Sequence, residues 1–196
     1  MAAGADFVGF VFFPPSPRAV TPSQAGALAA NVPDRVVKVG LFVDADDATI
    51  AATLEQVALD ALQLHGGESP QRVADIKAAF GLPVMKAIKI ENADDVAAAR
   101  IYEDVADWLL FDAKAPKTMA GALPGGNALS FDWRLLQGCE WAVPWMLCGG
   151  LDADNVAEAV AITEAVAVDV SSGVEDRPGH KDIARISAFL EVTAKL

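Results

Sequence analysis

The sequence predicts an α/β chain that forms most of a parallel (β/α)8 barrel, with strand 1 and most of helix 1 absent and seven strands visible. Three observations predict it. Short apolar, β-rich runs alternate with Ala-rich amphipathic segments from end to end, the rhythm of a parallel sheet built from β/α units. The runs are hydrophobic almost throughout, as strands covered on both faces must be. Two short loops, Gly149-Gly150 and Ser171-Ser172-Gly173, follow the last two runs, where barrels of this type commonly build a phosphate site from the loops after strands seven and eight. A doubly wound open sheet is the competing architecture. Against it, no Gly-x-Gly-x-x-Gly fingerprint follows the first run.

In chain order the expected strands are residues 7–13, 36–43, 61–64, 84–88, 108–111, 145–147 and 166–170. Helix starts are marked by local chemistry. Thr21-Pro22-Ser23-Gln24 places a capping hydroxyl, a proline at the first helical position and a Gln at the third. Ser69-Pro70 repeats the cap-then-proline signal, and Asn92 and Asp152 stand where an N-cap oxygen accepts from free N–H groups. The last helix is expected over 182–195, with Ile183, Ile186, Phe189 and Leu190 at helical spacing. The stretch 114–130, with Pro124-Gly125-Gly126 inside it, is the longest irregular segment. A loop of that length between strand and helix is usually functional, so it is expected to cover a site. If the last two runs are barrel strands seven and eight, the absent strand is the first. Met1-Ala2-Ala3-Gly4 then reads as the tail of a helix with its glycine C-cap, and a closed barrel needs about one unit more.

A chain of 196 residues that is 53% hydrophobic can bury one sizeable core. No linker, low-complexity tract or composition shift divides it, so residues 1–196 are expected to form a single barrel domain, truncated at its N-terminus. No run approaches the roughly 18 apolar residues of a membrane span, and the opening residues carry no secretory signal. With Cys139 and Cys148 as the two cysteines, a disulfide framework is not expected and a cytoplasmic setting fits best. The net charge of −12 argues against nucleic acid. It leaves room for a small anionic ligand held by backbone N–H groups and helix N-termini. His65, His180 and two scattered cysteines offer no metal-ligand spacing.

Several segments taken together resemble one family. These are Gly4-Ala5-Asp6-Phe7-Val8-Gly9-Phe10-Val11-Phe12 followed by Ser16-Pro17-Arg18; Gln63-Leu64-His65-Gly66; Leu109-Leu110-Phe111-Asp112; and Phe131-Asp132-Trp133. Gly149-Gly150-Leu151 with Asn155-Val156, then Asp169-Val170-Ser171-Ser172-Gly173-Val174-Glu175, Pro178-Gly179 and Lys181-Asp182, complete the set. In this order they resemble strand ends two, four, six, seven and eight of the phosphoribosylanthranilate isomerases of tryptophan biosynthesis, which fold as TIM (β/α)8 barrels. The chain departs from that pattern twice. The family's first strand ends in Lys-Ile-Cys-Gly, whose cysteine is the general base, and that motif is not present here. Before Phe131-Asp132-Trp133 stands Ala128-Leu129-Ser130, where relatives often carry Gly-Lys-Thr. Cys139, in a helix-to-strand connection, and Cys148, at the end of the seventh strand, do not fit the missing role.

The resemblance implies an Amadori rearrangement: N-(5-phosphoribosyl)anthranilate becomes 1-(o-carboxyphenylamino)-1-deoxyribulose 5-phosphate. An acid protonates the ring oxygen, the ring opens to a Schiff base, and a base removes the C2′ proton. No cofactor or metal is required, because charge develops over an iminium. Asp112, ending an apolar strand, is the expected general acid, where apolar neighbours favour its protonated form; taken alone, it would be read as a loop or helix cap. Arg18 is expected to grip the anthranilate carboxylate in two places, its plain alternative being a surface arginine. His65 is expected to contact the substrate or orient the site, or else to be a satisfied structural group. Asp169 is expected to hold a sugar hydroxyl or the substrate amine, or else loop backbone. Gly149, Gly150, Ser171, Ser172 and Gly173 are expected to bind the phosphate.

Two other function classes compete. One is another ribulose-phosphate-binding barrel enzyme, such as an indole-3-glycerol-phosphate synthase or a ribulose-phosphate epimerase. The synthase demands a lysine and a strand-end glutamate, and Lys86 has no such glutamate visible in the sequence. The other is a phosphate-ligand-binding barrel, or a truncated inactive form, without turnover. The chain is expected as a monomer or homodimer, with the strand-1 gap as the route of association that exposed strand edges invite.

Overall fold

Six of the seven apolar runs become strands. The computed structural model describes residues 4–115, 123, 125–127 and 129–196. Met1-Ala2-Ala3 of the expected helix tail lies outside the described residues, as do Pro124, Ala128 and residues 116–122 of the long loop. The strands are β1 Phe7–Val11, β2 Val37–Phe42, β3 Ala61–Leu64, β4 Val84–Ile90, β5 Trp108–Ala113 and β6 Trp145–Leu147. They pair in sequence order, each parallel to the next. A sheet of that order requires a crossover after every strand. Four are made by α1 Pro22–Ala29, α2 Asp47–Leu54, α3 Pro70–Phe80 and α4 Ala93–Ala99. The connection from β5 to β6 carries a 3-10 turn at Trp133–Leu136, and α5 Val156–Thr163 and α6 Ile183–Thr193 follow β6.

The expected last strand, 166–170, is corrected to a single bridge. Val168 pairs with Leu147, with bonds of 3.0 Å from Leu147 N–H to Ala167 O and 2.8 Å from Asp169 N–H to Leu147 O. The cause is local: β6 has 3 residues and offers a short edge, and the other side of 166–170 has no partner strand among the described residues. Beyond it lies an antiparallel hairpin that the runs did not announce, β7 Glu175–Arg177 and β8 His180–Lys181. Pro178-Gly179 turns it, with Gly179 at φ 83°, a conformation that favours glycine.

Side-chain alternation gives the sheet two different faces. Leu62, Leu64, Val84, Ile88, Leu109, Phe111 and Leu147 pack with helix residues Ile50, Val73, Ile76, Val96 and Val156 in the main core. The opposite face holds a smaller cluster of Met85, Ala87, Leu110, Met146 and Cys148. Gln63 and Asp112 alternate with main-core residues, so they belong to this second face.

Most helix starts follow the local chemistry. Thr21 and Gln24 form a capping box, and Asn92 forms one with Asp95. Ser69 accepts from Arg72 N–H, and α3 ends on a left-handed Gly81. Asp152 differs: its carboxylate accepts from the N–H groups of Asp154 and Asn155, closing a turn ahead of α5, whose N-cap is Asn155. In α6 Phe189 is buried, whereas Ile183 is exposed. Ser69→Ala is expected to cost about 1 kcal/mol, lowering the melting temperature by about 2–4 °C in a chain of this size. Calorimetry checks this, and an unchanged melting temperature would deny the cap any role. No helix among the described residues is long and apolar enough to cross a membrane.

Candidate active site

The C-terminal ends of β3 and β5 place polar side chains on the face opposite the helices. Asp112 is next to last in β5, and His65 follows β3 directly. Their side chains meet, His65 Nε2 lying 3.0 Å from Asp112 Oδ2, and both residues are buried. The second ring nitrogen, Nδ1, lies 3.0 Å from Gln63 Nε2. The Gln63 amide donates there, so Nδ1 accepts and the Nε2 proton points at Asp112. Asp112 Oδ1 accepts from Ala113 N–H at 2.8 Å. Gly125 closes over this pair: a Cβ there would stand 2.7 Å from His65 Nε2 and 2.8 Å from Asp112 Oδ2.

The glycine loops converge on the same carboxylate. Gly149 at φ 91° and Gly150 at φ 63° follow β6, and a Cβ on Gly149 would meet Ala113 N at 2.7 Å and Asp112 Oδ1 at 3.1 Å. Gly173, in the 3-10 turn Ser172–Val174, lies so close to the Leu151 carbonyl that a Cβ has no room. Asp112, Gly149, Gly150, Asp169, Ser171 and Ser172 thus border one hollow. It adjoins a cavity of about 420 Å3, lined by Arg18, His65, Asp112, Cys148, Asp169 and Lys181 among others.

Asp169 sits within this wall, its Oδ2 3.1 Å from Cys148 Sγ. Burial raises the Asp169 carboxyl above its ordinary range. Burial and the nearby Asp112 and Asp169 charges push the Cys148 thiol well up. Cys148 therefore stays a thiol and donates to Asp169, which is poor preparation for a base. Cys139 sits after the 3-10 turn of 133–136, its thiol donating to Leu135 O at 3.6 Å.

Arg18 has a protein partner for its guanidinium. Its fork is taken by Glu175, with Nε to Oε1 and Nη2 to Oε2 both at 2.7 Å. Nη2 also donates to Gly126 O at 3.2 Å. Lys181 Nζ lies 3.0 Å from Glu175 Oε1 and donates to Ser171 O at 2.7 Å. Burial alone would raise the Glu175 carboxyl, but the bonds and charges of Arg18 and Lys181 outweigh it and hold the group at about 2. Glu175, Lys181, Gln63 and Gly125 are site residues that sequence reasoning did not single out. Glu175, Lys181 and Gln63 stand inside the resembling segments, but their partners are far off in sequence.

A family model described as N-(5'phosphoribosyl)anthranilate (PRA) isomerase matches residues 1–192. The chain belongs to the phosphoribosylanthranilate isomerase family. Over 188 residues it is 59% identical to the N-(5'-phosphoribosyl)anthranilate isomerase of Paramagnetospirillum magneticum, covering 96% of this chain and 86% of that one. The crystal structure of phosphoribosyl anthranilate isomerase from Thermotoga maritima superposes with a TM-score of 0.87 at 35% identity, covering 100% of this chain and 91% of that one. A phosphoribosyl anthranilate isomerase in complex with reduced 1-(o-carboxyphenylamino)-1-deoxyribulose 5-phosphate matches with a TM-score of 0.81 at 33% identity, covering 100% and 90%. The family's activity, isomerisation of N-(5-phosphoribosyl)anthranilate in tryptophan biosynthesis, is the function of this chain, an isomerase with an α/β fold on a parallel six-stranded sheet.

Proposed function

We propose that Asp112 is the general acid of the rearrangement, protonating the ribose ring oxygen so that the ring opens to the Schiff base. One observation carries this reading: a buried carboxylate stands between the His65 ring and the two glycine loops, on the wall of the cavity. His65, held by Gln63 with its Nε2–H on Asp112 Oδ2, orients the carboxyl toward the cavity. The phosphate lies against the backbone of Gly149, Gly150 and Gly173 and the hydroxyls of Ser171 and Ser172. Neutral donors suit a dianion on a chain of net charge −12. Arg18, aimed by Glu175, presents its remaining edge to the anthranilate carboxylate, and Asp169 faces the sugar or the amine.

The six-stranded sheet with the 166–170 segment is read as the wall of one barrel domain. One further parallel strand between β1 and that segment would close it at eight. A cavity of about 1000 Å3 lies at this position, lined by Gly4, Phe7, Met146, Ala167 and Val168 among others. The resemblance puts the general base on the strand that closes this gap. The substrate is a small molecule, and two free cysteines agree with a cytoplasmic setting.

The test is calorimetric titration with reduced 1-(o-carboxyphenylamino)-1-deoxyribulose 5-phosphate, which needs no proton transfer to bind. Gly173→Ala drives a methyl into the Leu151 carbonyl and parts the two loops, so Kd is expected to rise at least tenfold. An unchanged Kd would remove the loops from the phosphate site.

A further inference from the structure

One buried ion pair has no part in the reaction as derived. Lys86 Nζ lies 2.8 Å from Glu68 Oε2, with side chains 2% and 1% exposed. The ammonium also donates to the carbonyls of Leu64 at 3.2 Å and Gly66 at 2.9 Å, so each of its hydrogens has an acceptor. Glu68 accepts from Gly66 N–H, at 3.1 Å on Oε1 and 2.9 Å on Oε2. It also accepts from Asp44 N–H at 2.8 Å, and Asp44 sits in the left-handed region at φ 48°. The groups gripped in the loop after β3 belong to the residues immediately before and after His65. Lys86 shares strand parity with Val84 and Ile88, so the pair works from the helix side while His65, Gln63 and Asp112 face the cavity.

Taking two charges out of water is costly, and an apolar pair of similar volume serves stability as well or better. Stability is therefore a weak reason for this arrangement. We propose that Lys86 and Glu68 are positioning residues of the isomerase. They clamp the main chain at 64–66 and so set the direction of the His65 ring toward Asp112. This rests on the reading of Asp112 as acid and His65 as its partner. Displacing such a group by about 1 Å costs about a hundredfold in rate, which a flexible loop would permit and a doubly gripped one does not.

The chain has two histidines, and the second, His180, is exposed and paired with Asp176. Ring 15N spectra of histidine-labelled protein therefore read His65 directly, with His180 as internal reference. The double variant Lys86→Met with Glu68→Gln removes the pair without stranding a buried charge. It is expected to melt within a few degrees of the parent. In a version of the protein that carries the general-base strand, its kcat is expected to fall about tenfold to a hundredfold with KM within about threefold, and the His65 ring signals to move while those of His180 stay. Unchanged kcat with unmoved His65 signals would overturn the proposal. If the double variant does not fold, Lys86→Leu with Glu68→Gln, which also leaves no buried charge, is judged by the same readings. Asp112→Asn in the same assay separates the two ideas. Full turnover there defeats the acid reading, whereas an inactive Asp112→Asn beside an unaffected pair variant defeats the clamp alone.

Discussion

In a version of the protein that carries the general-base strand, Asp112→Asn is expected to lower turnover by about 10²–10⁴-fold, the usual worth of one positioned proton-transfer group. Asn matches Asp in size, so the packing of the site is kept, but its single amide oxygen retains only one of the two bonds that Oδ2 takes from His65 and Oδ1 from Ala113. What disappears is the capacity to carry a proton to the ring oxygen. The reduced product analogue makes no such demand, and its Kd is expected to stay within about threefold of the parent's, the size of an ordinary context effect on one hydrogen bond. Steady-state rates beside titration calorimetry separate the two effects. Near-parental turnover would strike Asp112 from the mechanism. Parallel loss of binding and turnover would instead make it a ligand-holding residue.

The fold was legible where the physics is local. Each of the first six apolar runs became a strand, because a run buried on both faces has few other ways to satisfy its backbone. Thr21, Ser69 and Asn92 capped helices because one side-chain oxygen and a free N–H decide the matter within three residues. The run 166–170 has the same composition, yet makes one bridge, since a ladder also needs a neighbour long enough to pair with. Asp112, His65 and the glycine loops were visible as strand-end residues in a recognised order. Their mutual contact, across 47 positions from His65 to Asp112, was not. Arg18 shows the difference most clearly. Its type and loop were readable, but its partner Glu175 lies 157 residues away and no periodicity links them. Lys86 on β4 looked like a lysine without a strand-end glutamate, because Glu68 reaches it from the loop after β3.

Glu175→Gln is expected to be the most destabilising single change at the site. The carboxylate is the shared counter-charge of Arg18 and Lys181, and it is 6% exposed. Breaking a buried pair by removing one partner costs about 3–5 kcal/mol, because the remaining charge stays buried without compensation. At about 2–4 °C per kcal/mol for this chain length, the melting temperature near neutral pH is expected to fall by about 6–20 °C. The pH dependence fixes the sign. The folded-state value is lowered from 4.5 to about 2, so the unfolded chain binds the proton more readily as acid is added. The stabilisation from this carboxylate is complete above the ordinary value, and it is lost as pH falls from there toward the folded value. The gap in melting temperature between parent and variant must therefore hold from pH 6 to about pH 5 and narrow as the pH falls on to 3. A gap that stays constant over that range would show that Glu175 acts through packing and that its charge does not hold Arg18 in place.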